Sequence, residues 1–479
     1  MPIQLDRYKY LLLLGLSAFI LFSSGCGPQA KTSGPQELEF SQGISWPEYR
    51  MQTLELDNGM QIFLIPNPEL PLISLHLQAR FGKFQIPEGL EGLEQVWAEV
   101  LQSGGSKEHP EQELSRILED RAAQLDVQAD TQVMRIELNV LKGDFQDLLP
   151  VLKDLIENPL FPENRIQLAK RQLKGQISRR NDDQNEIAFR KFKQLIYGQD
   201  SVYARVPELE TVDRISREDL LQLHSQVFQG ANLRVGLEGD FEAEEIQGLL
   251  QKELGTIDKG QLTELDFPKV DYEYAKSLNL VHKPDVNQSF ILLGHIGDYR
   301  QNPDYATLQV LNEVLSGGFS GRLFRNLRSR QGLAYSVFGR YGCEYFYPGM
   351  FFVGLQTKSE RTAEAIQKAK AELSRLQEEG VKQDELEQAK DRFLNSLVFR
   401  YDDPEKVLKR KMHYAYRGMD LDSFNQLSRE ISQVTAAEVE RVAREYLHPE
   451  KLQVLVVGNK GQVLDQLEEL GEVRELELD

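Results

Sequence analysis

The chain has 479 residues, too many for one compact core, so two or more domains are expected. Hydrophobic residues at 41% and aromatic residues at 9% are ordinary for a globular protein. A formal charge of −19 excludes nucleic acid as a partner, because phosphates demand basic patches.

The first 25 residues differ from the rest. Arg7 and Lys9 precede an apolar run over residues 10–22, which ends in Ser23-Ser24-Gly25-Cys26. The run is shorter than the roughly 20 residues a membrane span needs, and small residues close it, so residues 1–25 read as a secretory signal. Cys26 placed directly after them resembles a bacterial lipoprotein signal. There the cysteine is lipidated and becomes the mature N-terminus. The chain departs from that motif at Ser23, where Leu is usual, and a plain cleaved signal with an incidental cysteine is the alternative. The reading implies a lipid-anchored protein of a bacterial cell envelope, facing the periplasm or exported. Residues 26–45 lack an apolar period and read as a flexible tether. Cys343 is the only other cysteine, so no disulfide framework is expected.

From residue 46 strands and helices are mixed. Residues 51–66 hold two short β-like runs around Asp57-Asn58-Gly59, a turn suited to positive φ. Residues 72–81 alternate, as do residues 133–141, which predicts half-buried strands. Apolar residues spaced three or four apart predict helices over 92–103, 110–125, 145–157 and 163–180. The pattern is α+β.

The chain then repeats itself. Ile215-Ser-Arg-Glu-Asp-Leu220 has a counterpart 219 residues later in Val434-Thr-Ala-Ala-Glu-Val439, and each carries the Ser/Thr and acid of a capping box. At the same offset, residues 228–239 meet residues 447–458, each a helix end, a turn and a strand stopped by Gly239 or Gly458. Two matches in one register imply duplicated domains. The expected division is 46–258, a linker over 259–272 around Gly260 and Pro268, and 273–479.

Two similar α+β halves, each about 220 residues long, resemble the pitrilysin/insulinase family of zinc metallopeptidases, with its mitochondrial processing peptidase relatives. Specific stretches carry the resemblance. In the first half they are Tyr197-Gly198, Pro207-Glu-Leu-Glu-Thr-Val212, Leu220, Phe228 and Gly239-Asp240-Phe241. In the second half the match is Leu323-Phe-Arg-Asn-Leu-Arg-Ser-Arg-Gln-Gly-Leu-Ala-Tyr-Ser336. The resemblance implies two homologous domains, each a mostly antiparallel sheet packed with helices, together forming half of a clam-shell.

Active members carry an inverted zinc motif, H-x-x-E-H, on the first long helix, where two His one turn apart share one face and the Glu activates zinc-bound water. Gly92-Leu93 and Gly104 place that motif at Gln95, Ala98 and Glu99, none of them the required residue. The third ligand position falls at Gly175 or Gln176. The seven histidines support the same conclusion independently, since no two lie within five residues of each other. No zinc and no other cofactor is expected in this chain.

In heterodimeric relatives the zinc-less partner contributes an Arg and a Tyr seven residues apart. Arg328 and Tyr335 stand at that spacing, with Arg325 and Arg330 as the competing arginines. A guanidinium and a phenol can donate to the oxyanion of peptide hydrolysis or hold the substrate backbone. Gly317, Gly318 and Gly321 form a glycine-rich turn that corresponds to a substrate-capturing loop in such subunits. It is not a phosphate loop, because no Lys-Ser/Thr follows it. The resemblance thus implies a non-catalytic subunit that pairs with a zinc-bearing homologous subunit, acts on a peptide added to a sheet edge, and is held to a membrane through lipid on Cys26. A purely structural or peptide-binding envelope lipoprotein is the alternative.

Overall fold

The computed structural model describes residues 49–478; the expected signal, Cys26 and the tether lie outside the described residues. β1 (Gln52–Glu55) and β2 (Gln61–Pro66) form the expected hairpin, with Gly59 at φ +83° in its turn. β3 (Leu72–Arg80) follows, then helix α1 (Leu93–Gly104) and α2 (Glu111–Asp120). The helix predicted over 110–125 stops early. Ala122 takes a left-handed φ of +47°, and residues from Gln124 onward form strand β4 (Gln124–Ala129). β4 pairs with β5 (Val133–Leu141). Then come α3 (Phe145–Glu157), α4 (Glu163–Arg179), α5 (Gln184–Tyr197), α6 (Leu209–Arg214), α7 (Arg217–Val227), β6 (Leu233–Gly239) and α8 (Ala243–Glu253).

The second half runs β7 (Ser277–His282), β8 (Gln288–Ile296), β9 (Asp298–Tyr299), α9 (Tyr305–Ser316), β10 (Ser336–Tyr341), β11 (Cys343–Glu344) and β12 (Met350–Lys358). It ends with α10 (Thr362–Glu379), α11 (Gln383–Val398), α12 (Pro404–Tyr416), α13 (Ser423–Gln433), α14 (Ala436–Tyr446), β13 (Gln453–Gly458), α15 (Lys460–Glu468) and β14 (Arg474–Leu476).

Each half builds a six-stranded sheet, and the two sheets have the same plan. The first runs β1-β2-β6-β3-β5-β4 and the second β14-β7-β13-β8-β12-β10. In both, the second and third strands are parallel and the remaining inner pairs antiparallel. Only the first strand breaks the match, because β1 is antiparallel to its neighbour and β14 parallel. The repeated capping boxes form as the sequence predicts: Ser216 with Asp219 opens α7, and Thr435 with Glu438 opens α14.

The halves also exchange a helix. α5 belongs to the first half yet packs on the second sheet, where Phe192, Ile187 and Ile196 meet Phe290, Leu292 and Val457 in one buried cluster. α12 belongs to the second half yet packs on the first sheet, with Leu408 and Met412 against Phe63 and Ile65. The two helices are repeat equivalents, and each is N-capped by an Asp side chain, Asp183 or Asp403. Gly236 makes the close approach possible, since a Cβ there would lie 2.3 Å from Met412 Sδ.

Residues between α8 and β7 contain no helix or strand but are fastened to both halves. Thr263 accepts from Arg80 Nε at 2.6 Å, the Tyr203 hydroxyl donates to Pro268 O at 2.6 Å, and Phe267 stacks on Phe346.

Candidate functional site

α1 begins where the sequence places the zinc helix, directly after Gly92, whose φ of +100° suits only glycine without strain. Its inner face is fixed by Trp97, which is fully buried and donates through Nε1 to His224 Nδ1 at 3.2 Å. That bond leaves the proton of His224 on Nε2, which donates to Ile156 O at 2.6 Å. Burial holds the His224 imidazole down at about 4, so it is neutral at ordinary pH.

The outer face of α1 presents Gln95 and Glu99, one turn apart and both exposed, while Ala98 points into the core. Gln95 and Glu99 line a cleft of about 460 Å³ whose opposite wall is α4, with Gln172, Gly175 and Gln176. The structure therefore brings two of the motif positions, Gln95 and Glu99, opposite the third-ligand positions Gly175 and Gln176, and leaves Ala98 outside the cleft. The donor set is wrong for zinc. Glu99 is the only carboxylate among those residues, there is no imidazole, and Arg171 and Arg179 add positive charge to the same cleft. A zinc ion does not fit these residues, and no carboxylate stands at Ala98 to take a proton from water.

One other group among the described residues has metal-like composition: His76, Glu137 and Glu405, with ligand atoms within 4.8 Å of one another. It joins the first sheet to α12. The Lys409 ammonium lies 3.0 Å from Glu137 and 2.9 Å from Glu405, so a cation already balances the carboxylates. His76 and Lys409 together hold Glu137 down to about 2. These residues are far apart in sequence, and no motif announced them.

The second predicted site is assembled on the surface of the second half. A wide π-helical turn, Phe324–Arg330, carries Arg328 outward, and the chain reverses at Gly332 before Tyr335 leads into β10. The Arg328 guanidinium lies 4.9 Å from the centre of the Phe324 ring and 5.7 Å from that of Tyr335. Tyr335 is 72% exposed. The competing arginines are engaged elsewhere, Arg325 with Glu385 at 3.5 Å and Arg330 with Asn326 at 3.3 Å. The Arg328 guanidinium makes no hydrogen bond or ion pair among the described residues.

Gly317, Gly318 and Gly321 form a tight turn beside this pair. Arg392 fastens it by donating to Ser320 Oγ at 2.7 Å and to Glu313 O at 2.9 Å. At its tip Phe319 is 83% exposed and meets Phe324 edge-on at 4.9 Å. The turn and the Arg328–Tyr335 pair are thus one continuous aromatic and cationic surface.

Two of the four outer strands, β10 and β4, have backbone amides already engaged by side chains. Along β10, the Gly339 N–H donates to Ser316 Oγ at 2.7 Å and the Tyr341 N–H to Asn312 Oδ1 at 2.6 Å, both from α9. Along β4, the Val127 N–H donates to Gln102 Oε1 of α1 at 3.2 Å.

Comparison with known proteins agrees with this geometry. Residues 66–206 match the family model described as Insulinase (Peptidase family M16), and residues 214–393 match the Peptidase M16 inactive domain. The chain is 28% identical over 399 residues to a Helicobacter pylori protein named Non-peptidase homolog YmxG, covering 82% of this chain and 90% of that one. It is 24% identical over 388 residues to Uncharacterized zinc protease YmxG of Bacillus subtilis, covering 80% and 92%. Among solved structures, a peptidase M16 inactive domain from Pseudomonas fluorescens superposes with a TM-score of 0.76 at 19% identity. It covers 86% of this chain and 98% of that one, a likeness of fold.

Proposed function

We propose that this chain, which belongs to the insulinase (peptidase M16) family as an inactive homologue, is the zinc-less subunit of a two-subunit peptidase. In this reading a homologous partner holds the zinc, and Arg328 and Tyr335 of this chain reach the substrate bound there. The supporting observation is a contrast between two surfaces. The cleft between α1 and α4 carries none of the residues the zinc motif requires, neither its ligands nor its base. Arg328 and Tyr335, by contrast, stand side by side, exposed, with no structural partner for the guanidinium beyond the aromatic rings.

Such a pair suits the chemistry. Attack on a peptide carbonyl builds negative charge on oxygen, and a phenol O–H with a guanidinium donates to that charge or to the substrate backbone. Phe319, at the tip of the Gly317–Gly318–Gly321 turn, offers an apolar contact for the substrate beside them. Lipid on Cys26 would tether the assembly to the envelope membrane.

The test is reconstitution. The chain alone should neither retain one equivalent of zinc nor cleave peptides. Mixed with a zinc-bearing homologue from the same cell it should raise peptide cleavage, and Arg328→Ala or Tyr335→Phe should remove that gain while the two subunits still co-elute. Full activation by both variants would exclude the role, leaving a structural or peptide-binding protein.

A further inference from the structure

The exchange of helices leaves a cavity of about 550 Å³ beside α5, bounded by the second sheet and by the loops around Tyr203 and Tyr347. Its walls are aromatic and rigid. Tyr203 stacks on Tyr347 at 4.3 Å, and Phe189 meets Phe352 edge-on at 5.3 Å. Two of the phenols are already engaged, Tyr197 donating to Pro348 O at 2.9 Å and Tyr203 to Pro268 O. The walls are therefore apolar surfaces held in place, not adaptable donors.

The charge in this cavity opposes that of the chain. Lys83, Arg190, Lys193, Arg205 and Arg340 line it against two carboxylates, Glu186 and Glu344, in a protein of net charge −19. Three of the cations have protein partners. Lys83 donates to Arg205 O at 2.8 Å, Arg205 pairs with Glu91 at 3.2 Å, and Arg190 donates to Arg180 O at 3.2 Å. The Lys193 ammonium and the Arg340 guanidinium have no hydrogen bond or ion pair among the described residues, and both side chains are exposed. Desolvation by the cavity walls, then the neighbouring Lys83 ammonium, hold Lys193 below the usual lysine range, against a smaller opposing pull from Glu344.

We propose that this cavity binds a peptide carboxylate, with the Arg340 guanidinium and the Lys193 ammonium as its donors and the aromatic walls receiving the adjoining apolar side chain. The proposal deepens the peptide-handling reading above and rests on it for the class of ligand. A carboxylate is the anion that fits. A planar guanidinium matches it in two parallel hydrogen bonds, and a second cation beside it adds a charge-assisted donor. Polyanions are disfavoured by the acidic exterior, and a cleft with apolar walls and a few placed charges is the form small peptide ends require. The carboxylate has two sources, the C-terminus of a peptide or an Asp or Glu side chain.

The experiment uses the isolated full chain and fluorescence anisotropy of N-terminally labelled Ala-Ala-Phe-Phe. Three forms are compared: a free C-terminus, a C-terminal amide, and an amide with Glu in place of the last Phe. The neutral amide should bind at least tenfold more weakly than the better of the two acids, and the ranking of the acids identifies the source. Lys193→Met with Arg340→Met should lose that preference, while Lys193→Arg with Arg340→Lys should keep most of it. Equal binding of acid and amide, an unchanged preference in the Met variant, or no binding at millimolar chain would overturn the proposal. None of these outcomes involves the zinc-bearing partner, so they leave the Arg328–Tyr335 reading standing. Loss of partner activation with carboxylate binding intact would overturn only that reading.

Discussion

The guanidinium of Arg328 lies 5.7 Å from the centre of the Tyr335 ring, although a tight turn separates the two residues. Here the wide turn over Phe324–Arg330 sends Arg325 to Glu385 and Arg330 to Asn326, so only Arg328 is left facing the phenol.

Removing either member of that pair is expected to matter only in the assembled enzyme. Loss of one donor to a developing oxyanion costs about 2.7–4 kcal/mol, or roughly 10²–10³ in rate. Arg328→Ala and Tyr335→Phe should therefore cut partner-supported cleavage by about 100-fold without moving the melting temperature of this chain, because both side chains are exposed. A shift in melting with unchanged rate would mark the pair as structural.

Zinc affinity should be recoverable on the same backbone. Gln95 and Glu99 already occupy the i, i+4 positions of one helix face, across from Gln176, and Trp97 holds the helix to the core. Gln95→His, Glu99→His and Gln176→Glu together are expected to bind about one zinc per chain by elemental analysis. The parent chain, treated identically, should retain far less. Failure of the triple variant to bind zinc while still folded would show that the cleft has closed as well as lost its ligands.

Acid should weaken the fold well above the carboxylate range. Burial holds His224 and His295 down at about 4, and burial with Arg417, Arg410 and Arg135 holds His413 at about 3. Each is below the ordinary histidine value near 6.5, so the unfolded chain binds more protons and stability falls as pH drops from about 6.5 towards 4. His224 and His295 should each cost about 2 kcal/mol between pH 6.5 and 5. Glu137 does not offset this, because its contribution is present above about 4.5 and is lost only as pH falls towards 2. Urea unfolding at pH 7.5 and 5.0 measures the difference; equal midpoints would contradict it.

The exchanged helix should make the halves inseparable. Met412 of α12 is fully buried against the first sheet, and Met412→Ala is expected to cost about 2–5 kcal/mol, read by chemical unfolding. By the same packing, a chain cut in the 259–272 segment should yield soluble protein only when both parts are co-expressed. A first half that folds alone without α12 would refute the exchange as a folding requirement.

The sequence made much of this legible because the signals are local. The Asp57-Asn58-Gly59 turn, the Ser216–Asp219 and Thr435–Glu438 caps and the strict alternation over 133–141 all lie within a few residues of each other, and each forms as expected. Strand β4 was hidden for the same reason. Its apolar residues continue the helical spacing of α2, and only the left-handed Ala122 and pairing with β5 end the helix.

By itself, then, the sequence determined the duplicated α+β plan and the loss of zinc, since a missing ligand is a matter of residue identity and of one helix's periodicity. The tertiary structure decided what depends on distant contacts. It set Gly175 and Gln176 opposite Gln95 and Glu99, chose Arg328 over its neighbours, and capped the β10 amides with Ser316 and Asn312. It also passed α5 and α12 between the halves and gathered Lys193 and Arg340 in one cavity. No local pattern encodes such pairings, because they follow from how two sheets share their helices once both hydrophobic faces are buried.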